Sequence, residues 1–70
     1  MISESDAIDQ AKKWVTKVGA SFEGRQVVVS LTGGEVYTIV FPLPANHRGG
    51  DFTIRVDAQT GEVLEGVIER

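Results

Sequence analysis

Cysteine is absent from these 70 residues, and histidine occurs once, at position 47. Disulfide stapling is therefore closed to the chain, and so is a zinc site, which draws on several thiolates and imidazoles. Long apolar runs are missing too: none approaches the ~20 residues of a membrane span, and none follows a basic start as in a signal peptide. The expectation is no membrane insertion and no targeting segment. Positive charge is also scarce. Seven Lys and Arg against ten Asp and Glu leave a net charge of −3, the wrong sign for nucleic acid or for an anionic bilayer. Lys12, Lys13 and Lys17 do cluster, but they follow Glu4, Asp6 and Asp9. Acid first and base last is the order that answers one helix dipole.

A chain this short buries only roughly 60% of the surface its unfolded form exposes. One domain, numbered 1–70, is all that its length allows. Without disulfides or metal, packing or association has to stabilise it.

Ser3-Glu4-Ser5-Asp6 approximates a capping box, with a hydroxyl to accept helix-end amide protons and an acid three positions on. The spacing of Ala7, Ile8, Ala11, Trp14, Val15 and Val18 predicts a helix over about 4–18, stopped by Gly19. Trp14 then belongs to the core face. Beyond Gly24 the period changes to two. Four runs rich in Val, Ile, Thr, Tyr and Phe predict strands over about 25–31, 35–43, 51–57 and 62–68.

The demand for one buried face constrains how these strands pair. A three-residue loop Thr32-Gly33-Gly34 pairs Leu31 with Glu35 and Val29 with Tyr37, which gathers Val27, Val29, Leu31, Tyr37, Ile39 and Phe41 on one side. A two-residue Gly33-Gly34 turn would split that set. In the last hairpin, Gln59-Thr60-Gly61 pairs Val56 with Leu64, Ile54 with Gly66 and Phe52 with Ile68, and Arg55 meets Glu65 outside. Asp57, Thr60 and Gly61 are its turn-forming residues, with Asp57 accepting amide protons and Gly61 supplying a positive φ. The expected fold is α+β: one helix packed on a four-stranded antiparallel meander, in the order α-β-β-β-β.

Catalytic patterns are weak in this sequence. Gly19-Ala20-Ser21-Phe22-Glu23-Gly24 has one residue too many for a nucleophile elbow and joins a helix to a strand, the reverse of the usual order. Asp57 to Glu62 lacks the alternating oxygen ligands of a calcium loop. No cofactor is expected. Surfaces are the better leads. Val28, Val36, Val40, Val63 and Val67 alternate out of the core face and form a candidate partner surface, for a second copy or another chain. The two terminal strands leave edges open to strand addition. The segment Pro42 to Gly50 is longer than a hairpin needs and places His47 and Arg48 as candidate loop contacts. With Asp51, these two residues define the alternative of a small-ligand or hydrolytic site.

The tail Ile54-Arg55-Val56-Asp57-Ala58-Gln59-Thr60-Gly61-Glu62-Val63-Leu64 resembles the end of a PepSY domain, where Asp-Ala-x-Thr-Gly-x-Val precedes the last strand. Ser3 to Ala11 is similar to that family's capped helix start, and Tyr37-Thr38-Ile39 to its Tyr-x-Val strand. The resemblance implies a bacterial α+β module without catalytic residues of its own, which inhibits or regulates a peptidase or another protein by binding. The same strand, turn and strand, preceded by a proline-containing loop and a Gly-Gly pair, also resembles small bacterial immunity proteins of the cystatin/NTF2-like type. Those too would act by binding.

Overall fold

The computed structural model describes residues 1–42 and 50–68. Helix α1 (Glu4–Lys17) is followed by strands β1 (Val28–Thr32), β2 (Val36–Phe41), β3 (Phe52–Asp57) and β4 (Val63–Ile68). The strands form one antiparallel sheet in the order β1-β2-β3-β4. This is the α+β helix-on-meander that the periodicity predicts.

Both helix ends are closed by local chemistry. The Ser3 hydroxyl accepts the Asp6 amide proton at 3.1 Å, as an N-cap does. At the other end the Gly19 and Ala20 amides donate to the Thr16 and Val15 carbonyls, with Gly19 at φ 83°. That pair of bonds is a Schellman motif, and only a residue tolerant of positive φ fits its centre. Val18 becomes the C-cap and is exposed, so it leaves the core face predicted for it.

The helix lays Ala7, Ala11 and Val15 on the sheet, all fully buried. Two alanines at this spacing let the helix axis come close to the strands. Beneath them lie Tyr37, Ile39 and Phe41 of β2 and Phe52, Ile54 and Val56 of β3, with Ala58 just beyond. The helix covers β2, β3 and β4 and leaves β1 to one side. Residues before the helix close one end of the core: the Ile2 amide donates to the Ala58 carbonyl at 2.7 Å, and the Tyr37 hydroxyl donates to the Ile2 carbonyl at 3.1 Å.

Two register details differ from the sequence reading. In the first hairpin Gly33 and Gly34 both have positive φ, 61° and 69°, and the Glu35 amide donates to the Thr32 carbonyl. The tight turn is therefore centred on Gly33-Gly34, while the connection between the first paired residues, Thr32 and Val36, is three residues long and runs from Gly33 to Glu35. Glu35 then stands as one extra residue, its carbonyl turned to β3 to accept the Ala58 amide proton at 2.8 Å. Pairing starts at Thr32 with Val36, so Leu31 faces Tyr37 and Val29 faces Ile39. The slip from the expected pairs is two residues, and a shift of two keeps every side chain on its predicted face.

The second difference moves a residue between faces. The turn bonds Asp57 to Glu62, with the Asp57 amide on the Glu62 carbonyl at 2.8 Å, and this sets Val56 opposite Val63. Farther along, Arg55 pairs with Glu65, Ile54 with Gly66 and Phe52 with Ile68. Leu64 is the residue left over, a bulge that reconciles the tight turn with the buried face. Val63 consequently packs against the core and not on the outer face expected for it.

β1 also begins later than the predicted start at 25. The Arg25 amide instead donates to the Phe22 carbonyl at 3.1 Å, within a turn that precedes the strand.

Candidate functional site

The outer sheet face resolves into rows set by the register. Val28, Val40, Thr53 and Val67 lie side by side across all four strands, and next to them run Ser30, Thr38, Arg55 and Glu65. A third row holds Thr32, Val36 and Asp57. The candidate valines other than Val63 therefore share one face, but Val36 is parted from the apolar row by the polar one. Arg55 and Glu65 approach to 3.6 Å with both side chains half-exposed. A pair so solvated contributes little stability, about 0.2–1 kcal/mol.

The edges differ from the middle of the sheet. Among the described residues the exposed large hydrophobics are Met1, Val18, Val27 (40%), Val28 (53%), Leu31 (43%), Leu64 (51%) and Val67 (42%). Five of these belong to β1, to β4 or to the residue leading into β1. Leu31 points to the helix side of the sheet, yet it is open because the helix lies chiefly over β2, β3 and β4.

On the opposite edge a groove of about 540 Å³ runs between α1 and β4. The Trp14 indole, Lys13 and Lys17 line its helix side, and Val63, Leu64 and Glu65 its strand side. Trp14 packs directly on Gly66, where a Cβ would overlap the indole ring. The sequence reading placed Trp14 simply in the core; it is partly buried and forms a wall between core and groove. Leu64 enters this region only because of the bulge, for which the sequence offers no signal.

Arg25 was not singled out by sequence either. Its Nη1 donates to the Phe41 carbonyl at 3.2 Å and to the Gly50 carbonyl at 3.0 Å, and its guanidinium lies 3.9 Å above the Phe52 ring. One cation thus ties together the chain on both sides of residues 43–49. The planar guanidinium suits this double role, as it can bond in its plane and stack on a ring at once. Phe22 stacks on Phe41 with ring centroids 5.8 Å apart, and Lys12 lies over the other aromatic of that pair, Phe22, at 5.4 Å. The proposed loop contacts His47 and Arg48 lie outside the described residues.

In the β3–β4 turn, Asp57 Oδ1 accepts the amide protons of Gln59 at 2.7 Å and Thr60 at 3.2 Å. Thr60 Oγ1 accepts from the Glu62 amide at 3.2 Å, and Gly61 has φ 80°. Asp57 Oδ1 and Thr60 Oγ1 are thus both engaged in shaping the turn. Among the described residues no three acidic, histidine or cysteine side chains converge as metal ligands. No described helix is long and apolar enough to cross a membrane. Compared with protein-family models, curated proteins and solved structures, the chain matches none.

Proposed function

We propose that this chain is a non-catalytic binding module, PepSY-like in kind, which regulates a peptidase or another protein by occupying part of its surface. The observation that supports this is the distribution of exposed apolar side chains, gathered on the outer row and the two sheet edges. Water-exposed valine and leucine that do not serve the core are most simply accounted for by burial against a partner. The row Val28, Val40, Thr53 and Val67 carries no charge and runs across all four strands.

The test is Val67→Glu and Val40→Glu against the unaltered chain, each immobilised and exposed to lysate of the source cells. A protein retained by the unaltered chain and lost with both variants, while the far-ultraviolet circular dichroism is unchanged, is the expected result. If that protein is a peptidase, its turnover falls when the chain is added. Equal retention by all three chains removes the outer row from the binding surface.

A further inference from the structure

We propose that two copies of this chain associate edge to edge through β1, antiparallel, about a two-fold axis at Ser30, to make one continuous eight-stranded sheet. The inference is independent of what the outer row binds.

The backbone supplies the first part. β1 ends the sheet, and the Thr32 carbonyl is turned toward β2, where the Glu35 amide reaches it. Along an antiparallel pair the direction alternates residue by residue. Val28 and Ser30 therefore also bond to β2, while the N–H and C=O groups of Val29 and Leu31 face outward. Among the described residues, no backbone bond outside the helix and the ladders ends on Val29 or Leu31.

Nothing on this edge discourages pairing. From Gln26 to Gly34 there is no charged residue and no proline, and β1 pairs with β2 without a bulge from Val28 to Thr32. Those are the devices by which solitary sheets keep their edges apart. Val27, Val28 and Leu31 are exposed around it, on both sides of the sheet.

Symmetry then selects the register. An axis at Ser30 pairs Val29 of each copy with Leu31 of the other, so outward groups meet outward groups. A slip of one residue would set outward groups against groups already committed to β2. Ser30 is the middle residue of β1 (Val28–Thr32), so this axis overlaps the two strands along their full length, whereas a two-residue slip keeps the hydrogen bonds but pairs fewer residues. A second copy also brings the same uncharged run from Gln26 to Gly34, so no like charges are set opposite each other along the seam.

Sedimentation of the full chain over a concentration series should show a reversible monomer–dimer equilibrium. Ser30→Glu and Ser30→Lys, each on an exposed side chain, should weaken it by about fivefold or more by setting like charges opposite each other at the axis. An equimolar mixture of the two should recover the dimer as a heterodimer, which a variant that merely failed to fold would not do. In a chain with no other thiol, Ser30→Cys should oxidise to a linked dimer, because a non-hydrogen-bonded pair sits at about 4.5 Å between Cα atoms, within disulfide reach. Thr16→Cys, on the exposed face of α1, should not. A chain that stays monomeric at every concentration overturns the proposal and leaves the edge to a strand from another protein. Ser30→Glu associating as tightly as the unaltered chain, or a mixture that does not re-associate, overturns it as well.

Discussion

β1 and β4 bound the same sheet and are of similar length, but they are held and finished differently. β4 lies under the helix, with Trp14 seated on Gly66 and Val63 and Ile68 packed against the core. It carries a bulge at Leu64, with Glu62 and Glu65 on either side of it. β1 has no helix above it, no charge and no bulge, and most of its side chains are exposed. Bulges and charges are what keep an edge from pairing. The bulge that fits β4 to the core also blunts it as an edge, whereas β1 is attached mainly through its ladder to β2. Stability is concentrated at one edge of this molecule and availability at the other.

Changes at the anchored edge should have the largest effects. Trp14→Ala removes the ring that joins α1 to β4 and should destabilise the chain by about 3 kcal/mol in urea unfolding. Gly66→Ala places a methyl group where the indole sits and should cost about 2 kcal/mol. The two should not add. With the indole gone the new methyl has room, so the double variant should be more stable than the sum by about 1 kcal/mol.

Arg25, just ahead of β1, ties that part of the chain to the end of β2 and the start of β3. Arg25→Ala loses two charge-assisted bonds to carbonyls and the stack on Phe52, for an expected cost of about 1.5 kcal/mol. Arg25→Lys should recover only part of this, since an ammonium cannot reach two carbonyls while stacking. The smallest effect should be at the open edge itself: Leu31→Lys should change unfolding free energy by no more than about 0.5 kcal/mol. A cost there near that of Trp14→Ala would erase the contrast between the edges. Hydrogen exchange of the chain diluted to its monomer sharpens it further, with the outward amides of Val29 and Leu31 exchanging well before those of Ile39 and Ile54.

How much of this was legible beforehand follows from the kind of constraint at each position. The capped helix, the four strands and the two faces are written in periodicities of 3.6 and 2 and in glycines placed where φ must be positive. Burial fixes which side a strand residue faces, and that is why a two-residue slip in the first hairpin left its residues on their expected faces, although Val27 and Leu31 stay exposed there. The outer row was legible for the same reason, except at Val63. There the Asp57 and Glu62 backbone bonds set one register near the turn and the core another farther along, and neither is visible in side-chain pattern. Arg25 looked like the start of a strand because nothing local marks the Phe41 and Gly50 carbonyls that it finds, which are 16 and 25 residues away.

By itself, then, the sequence determined the order of elements and, for most strand residues, the faces they turn to the core, since those depend on contacts between near neighbours and on the cost of leaving apolar groups in water. Only the tertiary structure decided which edge is anchored and which is open. That choice rests on where one helix lies across four strands, on an indole that needs a glycine beneath it, and on two extra residues, Glu35 and Leu64, that let tight turns and a single buried face coexist.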